Sequence, residues 1–185
     1  MVVSFYLVFR NFVVMAALWR HFTELSDPAP VKGSDWALGL GVGTAVFVLW
    51  VLLDFRPLAM ASDGGFDPRT GGSIVTALAL TRLAGAILVV PVMEELFWRS
   101  FILRWLQHPS FLSVRPASVG VRALIISSAL FATEHRLWFA GLLAGLAYAW
   151  LFRRSGNLWV PILAHAVTNG LLGAYVLATG SWTFW

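Results

Sequence analysis

The chain predicts an all-α fold, a polytopic transmembrane bundle of about six helices. Three observations carry that expectation. Of the 185 residues, 59% are hydrophobic and 12% are charged, where a soluble domain has about 25% charged. Mean hydropathy is +0.78. The apolar residues come in runs approaching the ~20 residues that cross a bilayer. A chain this short exposes too large a share of its surface to hide so much apolar area from water, so lipid is the solvent for most side chains.

The elements follow in order. A first span over residues 2–19 carries Arg10 and Asn11 mid-span. It lacks the basic start and the small-residue cleavage site of a secretory signal peptide. A polar loop with Pro28 and Pro30 follows over residues 20–35. The second span, 36–53, holds Gly39, Gly41 and Gly43, which allow close helix approach. Residues 54–72 are rich in Gly, Pro and Asp and read as a loop. The third span runs from 73 to about 106, too long for one straight crossing. Pro91 is expected to kink it, and Arg82 to lie near an interface. A polar stretch over 107–122 contains Pro109 and Pro116. The fourth span, 123–134, is short. The fifth, 138–152, has Gly141 and Gly145 four apart, and the sixth is 158–179. With no repeat or linker in view, residues 1–185 form one membrane-embedded domain.

Net charge is +4, carried mostly by scattered arginines with Lys32 the only lysine. No basic run with interleaved aromatics is present, which argues against a nucleic-acid partner. The arginines instead set orientation. Arg20, Lys32, Arg104, Arg115, Arg122, Arg153 and Arg154 fall on one side, and Arg56, Arg69 and Arg136 on the other. The richer side is expected to be cytoplasmic, which turns both termini outward if all six segments cross. There is no cysteine, so thiol nucleophiles and disulfides are excluded.

Ionisable groups inside apolar spans are costly and tend to be functional. Glu94 and Glu95 stand side by side in Pro91-Val-Met-Glu-Glu-Leu-Phe-Trp-Arg99. Glu95 and Arg99 are four apart and can pair on one helix face, while Glu94 is turned about 100° away. That leaves Glu94 for other work, such as a general base; a purely structural ion pair is the competing reading. His135 follows Glu134 at the end of the fourth span, and a lone histidine there is by itself more often a satisfied polar group than a catalyst. His165 and Asn169 share a helix face, either as an interhelical clamp or as donors to a developing oxyanion. Counted from the Arg-rich end, Glu94, His135 and His165 all lie roughly 10–20 Å deep, which points to one shared cavity. A carboxylate, two imidazoles and an amide in one cavity suit hydrolysis of an acyl bond.

Glu94-Glu95-x-x-x-Arg99, Phe131-x-x-x-His135 and His165-x-x-x-Asn169, in this order, resemble the three motifs of the CAAX-protease and bacteriocin-processing family of intramembrane endopeptidases. The resemblance covers residues 73–179. The wording around Trp138 to Gly145 and the terminal Ala-Thr-Gly-Ser-Trp-Thr-Phe-Trp is similar to the exosortase-associated bacterial branch. Ser100 departs from the glycine many members carry after the arginine, and the N-terminal part is shorter than in eight-helix relatives. The resemblance implies a glutamate-dependent peptidase in the bacterial inner membrane, acting on a peptide or protein held in the bilayer. It makes Glu94 the general base, His135 its helper in activating water, His165 and Asn169 the oxyanion hole, and Glu95 and Arg99 supporting residues. No cofactor is expected. The competing possibilities are zinc held by Glu94, His135 and His165, or a scaffold without activity. No His-Glu-x-x-His motif supports the metal.

Overall fold

The computed structural model describes residues 22–26, 28, 30–55, 57–60 and 64–185, together with Val13 and Ala16. The span expected over 2–19 lies outside the described residues except for those two, and so do Arg10, Asn11, Arg20 and Arg56.

The regular secondary structure of the described chain is helical apart from one small hairpin. The elements are α1 (Thr23–Ser26), α2 (Gly33–Leu52), β1 (Arg69–Thr70), β2 (Ser73–Ile74), α3 (Thr76–Trp105), α4 (Val121–Ala132), α5 (Trp138–Ser155) and α6 (Trp159–Thr179). Among the described residues three helices, α2, α3 and α6, are long and apolar enough to cross a membrane. The protein is an integral membrane protein built as a helical bundle.

Each element shifts slightly from its expected bounds for a local reason. The second helix starts before Asp35 rather than after it. The third starts at Thr76, because Ser73 and Ile74 pair with Thr70 and Arg69 in the hairpin. That hairpin turns at Gly71 and Gly72, both with positive φ (58° and 84°), as a tight two-residue connection requires. The fourth helix stops at Ala132, leaving Glu134 and His135 in the turn that follows. The fifth runs past its expected bound at 152 through Arg153 and Arg154, and ends at Gly156 in the left-handed conformation.

The core has two parts. Leu103, Val119, Ala123, Phe152 and Leu158 form one, near the Arg104 end. Trp98, Phe131, Tyr148, Leu151, Val160 and Ala164 form the other, around the functional residues. Close helix approach positions both. A Cβ at Gly43 would overlap the backbone of Ala164, so only glycine lets α2 lie this near α6. Gly145 packs closely on Ser128 between α5 and α4, where a Cβ would stand 3.0 Å from the serine Cα.

Ion pairs at the two ends sort the loops. Arg104 reaches Glu24 at 3.0 Å and Arg154 reaches Asp35 at 3.7 Å, while Arg136 binds Asp54 at 2.8 Å. The segment before α2 therefore shares an end with Arg104 and Arg154, and the segment after it shares the opposite end with Arg136. This is the grouping that the distribution of basic residues predicts.

Candidate active site

The irregularity of α3 begins the site. Residues Gly85–Val89 form π-helical turns just before Pro91, and Leu96–Ile102 form a second set just after Glu95. Such turns frequently mark functional positions. Pro91 has no N–H to give, and the Val90 N–H goes to the Gly85 carbonyl. Ala86 thereby loses its ordinary helical donor. The Asn169 amide supplies one instead, donating to the Ala86 oxygen at 2.9 Å. Asn169 on α6 is tied to α3 by a defect that Pro91 helps to create.

Glu95 and Arg99 are fully buried, with Arg99 Nε 3.0 Å from Glu95 Oε2. The pairing expected from the four-residue spacing is present. The N–H is not aimed squarely at the carboxylate, so the contact is an ion pair rather than a well-formed hydrogen bond. The rest of the guanidinium lies 4.6 Å from the Phe131 ring centre and 5.5 Å from that of Tyr148. Aromatic faces replace hydrogen-bond acceptors around this cation.

The other Glu95 oxygen accepts from His165 Nδ1 at 3.0 Å. A carboxylate only accepts, so Nδ1 carries a proton and Nε2 is the nitrogen left for chemistry. Nε2 stands 4.0 Å from Glu94 Oε2. The His165 ring stacks on Tyr148, with centroids 5.1 Å apart and planes at 19°. Tyr148 in turn donates to Thr168 at 2.7 Å, and the Thr168 hydroxyl reaches the Gly43 and Ala164 carbonyls at 2.8 and 3.0 Å. Arg99, Glu95, His165, Tyr148 and Thr168 thus form one continuous brace across α3, α5 and α6, anchored on α2.

His135 lies beyond the end of α4. Its Nδ1 donates to the Phe131 carbonyl at 2.9 Å, which leaves Nε2 as the free nitrogen. Trp50 packs edge-on against it at 5.3 Å and Phe131 lies 4.5 Å away.

A cavity of about 220 Å³ is lined by Glu94, His135, His165 and Asn169 together. The four residues singled out from sequence as a catalytic group share one wall-to-wall space. Glu94 Oε2 is buried there and accepts no hydrogen bond from the described chain. Glu95 and Arg99 do not line the cavity; they stand behind His165. Glu134 is exposed and does not line it either. No group of three His, Asp or Glu side chains among the described residues is arranged to hold a metal ion.

Sequence reasoning missed three polar wall residues, Arg82, Tyr148 and Thr168. Thr168 precedes Asn169 and sits three residues after His165, so helical spacing placed it near that stripe. Tyr148 had only its position inside a span as a signal. Arg82 reads as an interfacial arginine from sequence, and nothing local distinguishes the two roles.

No curated protein and no solved structure matches the chain. A family model described as type II CAAX prenyl endopeptidase Rce1-like matches residues 76–171, slightly more than half of the chain and the stretch that contains all four cavity residues. The chain belongs to the Rce1-like type II CAAX prenyl endopeptidase family and is a membrane-embedded peptidase.

Proposed function

We propose that this peptidase is a glutamate-dependent intramembrane endopeptidase in which Glu94 activates water within the cavity. The observation that carries the reading is the buried Glu94 Oε2, free of hydrogen bonds from the described chain and 4.0 Å from His165 Nε2 in a space also lined by His135 and Asn169. Glu94 accepts a proton from the attacking water, and His135 Nε2 orients that water by accepting its other hydrogen. The water oxygen bonds to the scissile carbonyl carbon, and the carbonyl electrons move onto oxygen. The Asn169 amide keeps one N–H after serving Ala86. That N–H and a protonated His165 Nε2 stabilise the oxyanion. Glu94 then returns its proton to the departing amine as the C–N bond breaks. Glu95 and Arg99 are positioning residues that hold His165 by Nδ1.

The substrate is a peptide or protein segment presented within the membrane. The resemblance around Trp138 to Gly145 and the C-terminal aromatic residues supports placement in a bacterial inner membrane, within the exosortase-associated branch.

Cleavage of membrane-soluble peptides by the purified chain tests the mechanism. Glu94→Gln is isosteric and is expected to lower kcat by at least about a hundredfold, the scale of general-base catalysis, with an unchanged unfolding midpoint. A Glu94→Gln protein cleaving at the normal rate refutes the assignment.

A further inference from the structure

We propose that Arg82 binds a carboxylate of the substrate and so sets where along a peptide the chain cuts. The inference rests on the peptidase reading of the cavity and adds a substrate feature to it. Arg82 and Glu94 both line the cavity, and among the described residues Arg82 is its only cationic wall residue apart from the histidines. Among the described residues, Arg69, Arg99, Arg104, Arg136 and Arg154 each pair with a carboxylate, and Arg82 pairs with none. The residue is partly exposed, and its guanidinium lies 5.8 Å from the Phe66 ring centre with no hydrogen-bond acceptor among the described residues. An arginine fork with unused donors beside an apolar wall matches a carboxylate better than any neutral peptide group.

The spacing fits a peptide. Arg82 and Glu94 are twelve residues apart on α3, roughly 18 Å at most at 1.5 Å per residue, and the π-helical turns between them shorten this. An extended peptide advances about 3.5 Å per residue. An anion held at Arg82 therefore stands within about five residues of the bond attacked at Glu94. An arginine that only reaches for the membrane interface would be indifferent to charge on the peptide.

The test is binding and cleavage of apolar fluorescein-labelled hexapeptides by the full-length chain in detergent micelles. One peptide ends in a free carboxylate and a second in an amide. A third and fourth are amides carrying internal Asp or Asn. Affinity is read by anisotropy in a Glu94→Gln background and cleavage separately in the unmodified protein. The expected result is about a tenfold or greater preference for an anionic peptide over its neutral partner. Preference for the free acid identifies the peptide terminus as the ligand, and preference for Asp identifies a side chain. Arg82→Gln reduces the preference ratio to about one, and Arg82→Lys keeps part of it. Equal affinity for all four peptides in unmodified Arg82 protein, no binding of any, or an unchanged ratio in Arg82→Gln overturns the proposal. Cleavage without charge preference refutes Arg82 while leaving the peptidase mechanism standing. Charge-selective binding without cleavage does the reverse.

Discussion

Arg99→Met is expected to be among the most destabilising single changes in this protein, and for a reason that a second mutation can remove. Glu95 and Arg99 are fully buried and 3.0 Å apart. Deleting one partner strands the other charge in a low-dielectric interior, which costs about 3–5 kcal/mol. His165 Nδ1 still donates to Glu95 and offsets only part of that. Loss of the cation from its place 4.6 Å above Phe131 adds to the cost, by about 2 kcal/mol for a desolvated pair. Methionine fills much of the vacated volume and packs well on rings, so the cavity contribution is small. Glu95→Gln removes the stranded charge yet keeps a carbonyl oxygen for His165. The double variant Glu95→Gln/Arg99→Met is therefore expected to be more stable than Arg99→Met alone by at least about 2 kcal/mol. The assay is SDS titration in mixed micelles, followed by fluorescence of the ten tryptophans. A cost for Arg99→Met below about 1 kcal/mol, or a double variant whose loss is the simple sum of the two singles, refutes the buried-pair account.

Asn169→Ala leaves the Ala86 carbonyl without its side-chain donor and is expected to cost about 1–3 kcal/mol of stability. The same change should lower kcat by about a hundredfold or more through loss of an oxyanion donor, which progress curves on a membrane peptide measure. Gly43→Leu would drive α2 away from the Ala164 backbone and free the Thr168 hydroxyl from Gly43; a fall in unfolding midpoint together with loss of cleavage is expected, and a normal midpoint contradicts the close-packing account. Cleavage should survive prolonged chelation. Loss of activity on chelation that added zinc restores would overturn the glutamate mechanism in favour of a metal.

Much of the bundle was legible because lipid imposes a simple rule: a backbone in hydrocarbon must satisfy itself, so apolar runs become helices. The same rule made Glu94, Glu95, Arg99, His165 and Asn169 conspicuous, since polar groups are expensive there. A spacing of four residues was enough to pair Glu95 with Arg99, because both lie on one helix and the geometry is local. Spacing also placed His165 and Asn169 on one stripe, and both line the cavity.

What a sequence encodes locally is the face of a helix, and what it does not display is how one helix is rotated and set against another. Depth along each span was enough to expect His135 and His165 beside Glu94, and only the tertiary structure adds Trp50 to the wall they share. Only there does Glu95 turn out to hold Arg99 with one oxygen and His165 with the other. The Ala86 carbonyl that Asn169 meets depends on a π-helical register in α3 and on the approach of α6 at once. Arg82 illustrates the difference most sharply. By itself it is one more arginine near a helix end, and it becomes part of a cavity wall because Leu172 of α6 and the C-terminal Phe184 and Trp185 line the same space. Burial cost and periodicity are properties of single segments, so the sequence alone determined which side chains were worth noticing. Convergence is a property of helices packed together, so the fold alone decided which of them meet.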